Sequence, residues 1–127
     1  MSVIVSEIDL LPAIILPTTR LIYLCDRDDS KFVTVSAEDY DWLMQWKWSW
    51  RHNSTGKKLY ATRNTRIHGQ QVAFYMHVEI MKRVRPRPSS ISYMVDHIDR
   101  DSRNNVRENL RWASPKLNAQ NRSWNNG

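Results

Sequence analysis

The run Tyr93-Met94-Val95-Asp96-His97-Ile98-Asp99, followed by a polar stretch, then Asn109-Leu110-Arg111-Trp112-Ala113 and Ser114-Pro115, decides how this chain is read. Tyr93 to His97 favours extended backbone and predicts a short strand. Arg100 to Glu108 is almost without apolar residues, which predicts a surface loop outside the core. Asn109 to Ala113 predicts a return strand with Leu110 and Trp112 on one face. Ser114 is a favoured helix N-cap, and Pro115 fits the first helical position, where a missing N–H does no harm. The order is therefore strand, loop, strand, helix.

The polar side chains on that frame suit phosphate chemistry. Neighbouring strand residues point to opposite sides, so Asp96 and His97 diverge from one strand end. Such a pair can reach two sides of one phosphate, as in-line displacement requires. Asp96 offers a carboxylate and Asn118, one turn into the helix, an amide oxygen; both are hard donors suited to Mg²⁺ or Mn²⁺. An imidazole that titrates near neutrality is the natural base for activating water, which points to His97.

Working back from this segment, Arg85-Pro86-Arg87-Pro88-Ser89-Ser90 interrupts any regular structure and marks the best module boundary. Before it, about Met76 to Val84 predicts a helix and Gln71 to Tyr75 a strand. Residues 46–52 and 58–67 alternate as two strands around a turn near Ser54-Thr55-Gly56. Ser36 with Asp39 three residues on has the form of a capping box opening a helix through Trp46, with Tyr40, Leu43 and Met44 on one face. Arg20 to Asp26 and Lys31 to Ser36 predict two strands joined by an Asp-rich turn. Trp46, Trp48 and Trp50 suit a core better than a base-stacking platform, although Lys47 and Arg51 are interleaved with them. The expected class is α+β, divided as a segment 1–19, a β-rich scaffold with short helices over 20–90 and a catalytic motif over 91–127.

Composition narrows the setting. Of 127 residues 41% are hydrophobic and six are Trp, enough for a core. The single cysteine, Cys25, excludes an intramolecular disulfide and a Cys-rich zinc site, and fits a reduced cytoplasm. Leu10 to Leu16 is apolar, but Pro12 and Pro17 interrupt it, acidic residues precede it and it is too short to span a bilayer. The net charge of +6 is uneven: residues 1–40 carry three basic and seven acidic side chains, residues 41–127 carry sixteen and six. A basic body suits a polyanion. Lys57, Lys58, Arg63, Arg66, Arg83, Arg85 and Arg87 are the candidate phosphate contacts, about half of them expected only to solvate the surface, with Arg111 added from the motif. The cations at 57–66 flank a hairpin able to enter a groove.

Residues 94–121 resemble the ββα-metal motif of HNH endonucleases, most of all the phage and intron-encoded homing type. The matching elements are Val95-Asp96-His97-Ile98-Asp99, Asn104-Asn105, Glu108-Asn109-Leu110-Arg111 and Asn118 with Asn121. Tyr60 to Arg63 and Tyr75-Met76-His77 add a looser similarity upstream. The resemblance implies that His97 is the general base, that Asp96 and Asn118 are metal ligands, and that Asn109, the central N, ties the loop to the strand and helps hold the His. Asn118 stands where many members carry His, and Arg122 where bacteriocin nucleases carry a further one, so weakly held Mg²⁺ is expected rather than tight zinc. The implied activity is hydrolysis of double-stranded DNA to 5′-phosphate and 3′-hydroxyl ends; with one such site per chain, a monomer is expected to nick one strand, and a double-strand break to need a dimer or two events. Two alternatives are a phage packaging-associated HNH protein acting with partners and an inactive DNA-binding module. His77 is expected either to contact a phosphate or to pack as a core His; His52 and His68 are expected at the surface. Target specificity is expected to come from the upstream β-rich part.

Overall fold

A computed structural model describes residues 17–88 and 93–114. β1 (Thr19–Tyr23) and β2 (Phe32–Ser36) pair antiparallel, Thr19 opposite Ser36 and Tyr23 opposite Phe32. Alternation sends Ile22, Val33 and Val35 inward, each at most 3% exposed. In the turn, the Asp28 carboxylate accepts from the Ser30 N–H at 3.0 Å, the local bond that suits Asp to such positions.

α1 (Ala37–Leu43) follows at once. It starts at Ser36 as expected, yet no capping box forms. The Ser36 hydroxyl accepts instead from the Arg107 N–H at 2.9 Å, and Asp39 takes the Arg107 guanidinium at 2.9 and 2.6 Å. A distant arginine thus outcompetes the local cap. The helix also stops at Leu43 and not at Trp46, because the Trp48 indole N–H takes the Leu43 carbonyl at 2.8 Å and turns the chain.

β3 (Ser49–His52), β4 (Leu59–Ile67) and β5 (Gln70–Tyr75) form an antiparallel sheet. In the first connection Asn53 Oδ1 accepts from the Lys57 and Lys58 N–H groups, both at 3.1 Å, while Gly56 takes φ +73°. The second is a two-residue turn at His68 and Gly69, with φ of 51° and 80°, the double positive-φ form that matches strand twist. The three tryptophans divide: Trp48 is buried, Trp46 packs on the core edge, and Trp50 is 37% exposed with Lys31 Nζ 4.8 Å above its ring. The core expectation therefore fails for Trp50.

α2 (Met76–Val84) is the centre of the molecule, with Met76, Ile80 and Met81 fully buried. It packs on β4 and β5 on one side and on the later strands on the other. β6 (Met94–His97) and β8 (Leu110–Ala113) pair antiparallel, with His97 opposite Leu110 and Asp96 opposite Arg111. Between them, the polar stretch departs from expectation. β7 (Asn104–Asn105) pairs in parallel with β2, Asn105 is 1% exposed, and the Ser102 hydroxyl donates to the Leu59 carbonyl at 2.6 Å. Polar side chains enter the interior here because each finds a hydrogen-bond partner. One buried cluster joins Ile22, Leu59, Ile80 and Leu110, so packing continues across the Pro-rich break at 85–88. Among the described residues no helix is long and apolar enough to cross a membrane.

Candidate active site

The end of β6 opens on a cleft of about 1150 Å³. Its walls come from the Asn53–Lys58 turn, the start of α2, β6 and the polar stretch before β7. His97 and Asp96 both line it.

His97 is 6% exposed, and its Nε2 lies 2.7 Å from Asn105 Oδ1. The tautomer follows from the next contact. Asn105 Nδ2 faces Met76 Sδ at 3.6 Å, and a thioether can only accept, so the amide oxygen is the atom turned to the ring. Nε2 therefore carries the proton and Nδ1 the lone pair. Burial pushes the His97 pKa below the ordinary 6.5, opposed by the Asn105 bond and the Asp96 and Asp99 carboxylates. His97 is thus neutral at pH 7, with nearby negative charge ready to stabilise a proton it acquires.

Asn109 holds the polar stretch in shape. Its Nδ2 donates to Asp99 Oδ1 at 2.9 Å and to the Asn104 carbonyl at 2.8 Å, while its Oδ1 accepts from the Asp99 N–H at 3.0 Å. Its own carbonyl accepts from the Ile98 N–H at 2.8 Å. The expected loop-to-strand tie is therefore the geometry found, whereas the amide that meets His97 belongs to Asn105. Burial pushes Asp99 up, but bonds from Asn104, the Asp101 N–H and Asn109 together hold its carboxyl below the usual range.

Asp96 faces Arg111, whose Nη2 lies 3.2 Å from Oδ2. Arg111 is thus engaged with a carboxylate. Asn118 lies outside the described residues. Among those described, no group of three His, Cys, Asp or Glu side chains forms to hold a metal. The Asp96 carboxylate on the cleft wall fits a hard divalent cation that keeps mostly water and phosphate oxygens, the habit of Mg²⁺.

The candidate cations separate in space. Lys57, Lys58 and Arg87 line the cleft, where Arg100 and Arg103, unassigned from sequence, join them. Arg87 sits with its guanidinium carbon 5.5 Å from the Trp112 ring centroid. Arg66 is out on the β4–β5 hairpin, bonded to the Gly69 carbonyl at 2.9 Å, and Arg83 stacks on Trp42 at 4.4 Å. Arg85 is exposed, and its carbonyl accepts from the Trp112 indole at 3.3 Å. Arg63 is a correction: its side chain is 16% exposed, paired with Glu79 at 3.4 Å and stacked 4.4 Å from Trp46 and 4.5 Å from Phe74. The signal was present, since Arg63 shares strand parity with the buried Leu59 and Ala61. His52 and His68 are exposed, as expected.

Residues 72–120 match the family model described as HNH endonuclease. That span begins in β5 and takes in His77, Asp96, His97, Asn105, Asn109 and Asn118. No curated protein matches the chain. A solved structure concerned with DNA binding and cleavage by the HNH homing endonuclease I-HmuI resembles it with a TM-score of 0.48 and 18% identity. The likeness covers 84% of this chain and 59% of that one.

Proposed function

We propose, from the premise that residues 72–120 belong to the HNH endonuclease family, that this protein hydrolyses phosphodiester bonds in double-stranded DNA with a divalent metal. One observation carries the reading. A neutral histidine, fixed by Asn105 in the tautomer that leaves Nδ1 basic, stands beside a carboxylate in a cleft rimmed with cations.

His97 Nδ1 takes a proton from water as that water attacks phosphorus, and the imidazolium formed is stabilised by Asp96 and Asp99. Asn105 fixes the ring's rotation, so no time is lost in finding the reactive orientation. Asp96 and Asn118 would hold Mg²⁺ or Mn²⁺, which when bound neutralises charge developing on the phosphate and the departing 3′ oxygen. Lys57, Lys58 and Arg87 position the backbone without reading sequence. The products carry 5′-phosphate and 3′-hydroxyl ends, and one site per chain acting as a monomer in the cytoplasm produces a nick. Conversion of supercoiled plasmid to open circle, with and without Mg²⁺, tests the reading. Cleavage that is unchanged in EDTA, or absent in Mg²⁺ and Mn²⁺, overturns it.

Three further results are expected. Asp96→Ala and Asn118→Ala each raise the Mg²⁺ concentration for half-maximal cleavage by about tenfold or more, since loss of even an outer partner of a metal ligand commonly costs that much. An unmoved titration in both variants would place the ligands elsewhere.

The acid limb of the rate profile is expected below pH 6.5, because the base has its folded pKa depressed and loses the reactive form only as pH falls through that lowered value. A limb centred above 6.5, measured at saturating metal, contradicts the assignment of His97.

Salt dependence separates the two arginines of the Pro-rich stretch. Arg87→Ala flattens the plot of log K against log salt by about 0.9, the value of one duplex phosphate contact, and Arg85→Ala leaves it unchanged. Equal effects, read by fluorescence anisotropy, would mean that the cleft is not where DNA lies.

A further inference from the structure

His77 is a polar ring in the cleft with no task in the mechanism above. It is the second residue of α2 and stands among other rings, with centroid distances of 4.8 Å to His97, 5.6 Å to Tyr60 and 5.8 Å to Tyr75. These are ring contacts, and among the described residues nothing hydrogen-bonds an imidazole nitrogen of His77. The ring lines the cleft, so it faces whatever enters there. A histidine packed purely for its shape normally ties at least one nitrogen to a carbonyl or a water, because an unsatisfied polar atom is costly.

Two observations say what such a nitrogen would meet. The ring lies against the proposed base, so a phosphodiester attacked through His97 is within its reach. The ring also sits at the positive end of a nine-residue helix that has no side-chain cap, with Tyr75, His77 and Val78 all lining the cleft. We propose that His77 is a second catalytic imidazole, donating a ring N–H to a non-bridging oxygen of the phosphodiester on which His97 acts. The inference rests on the nuclease reading and adds to it the group that stabilises charge gathering on phosphorus oxygens.

The charge state fits that task and excludes another. Burial, aided by His97, pushes the His77 pKa down to about 3. At neutral pH the ring is then a hydrogen-bond donor without a charge, and it is too weak an acid to protonate the leaving group. A cation in its place would oppose protonation of His97 a few ångströms away; a neutral N–H does not.

Two measurements test the proposal. In EDTA, long-range ¹⁵N–¹H spectra of the histidine rings are recorded as a short DNA duplex is added, and the His77 nitrogen that carries the proton is expected to shift. With Mg²⁺, single-turnover cleavage is compared for His77→Phe, which keeps the ring packing, and His77→Gln, which restores an N–H donor. Phe is expected to lower the rate by about 100-fold, the scale of one lost oxyanion donor, with DNA affinity nearly unchanged. Gln is expected to recover about tenfold of that loss. Wild-type cleavage by the Phe variant, equal defects in Phe and Gln, or His77 signals that ignore DNA would each overturn the proposal. His77 signals that shift while the wild-type protein fails to cleave in Mg²⁺ would support the phosphate contact and remove the nuclease reading.

Discussion

His97→Ala is expected to lower single-turnover cleavage by about 10² to 10⁴-fold, the contribution of a positioned general base, and to leave DNA affinity close to wild type. The separation of the two effects follows from the geometry. His97 is neutral and 6% exposed, so it adds no charge to the field that draws DNA in. Its removal also leaves the Lys57, Lys58 and Arg87 rim intact. Asn105→Ala is the informative companion, because it keeps the base and removes the partner 2.7 Å from Nε2. That variant is expected to fall between wild type and His97→Ala in rate, since the ring released from Asn105 still samples the reactive tautomer. Wild-type rates for His97→Ala would sink the base assignment outright.

Arg107→Met is expected to destabilise the fold by about 3–5 kcal/mol, the usual result of leaving one member of a buried ion pair behind. Asp39 has 0% side-chain exposure, and Arg107 reaches it through Nε at 2.9 Å and Nη2 at 2.6 Å while also lying 3.2 Å from Glu38. The opposite truncation is milder: Asp39→Leu leaves the guanidinium, 26% exposed, with water and Glu38 to satisfy it. The double variant Asp39→Leu/Arg107→Met is expected to recover much of the loss, because no uncompensated charge remains. Urea unfolding followed by tryptophan fluorescence reads all three. If Arg107→Met costs no more than Asp39→Leu, the buried carboxylate is not the reason for the loss.

These residues also show where sequence reading reaches its limit. α2 was legible to the residue because its apolar spacing is helical and a Pro-rich stretch ends it. β6 and β8, with Asp96 and His97 at one strand end, were legible because short extended runs flank a polar gap. β7 was not: two asparagines carry no periodicity, and the burial of Asn105 depends on partners supplied by β2 and Met76, far away in the chain. Ser36 and Asp39 fulfil the local capping pattern, and only the folded chain reveals that Arg107 claims both. Arg63 failed for a different reason, since its parity pointed inward while its charge suggested a surface. The aromatic walls from Trp46 and Phe74, with Glu79, let a cation lie where an aliphatic residue was due.

The parallel pairing of β2 with β7 bears on anyone wishing to borrow the chemistry for a fusion enzyme. Cutting at the Pro-rich stretch and transplanting 91–127 would carry Asp96, His97 and Asn109 to the new host. It would leave behind β2, against which Asn105 is laid down, and Met76, whose sulfur decides which end of that amide faces the imidazole. The graft would then own a histidine whose Asn105 partner is no longer held in place. A donor fragment that retains the reactive tautomer has to start no later than β2, at Phe32, so the smallest portable unit is most of the chain.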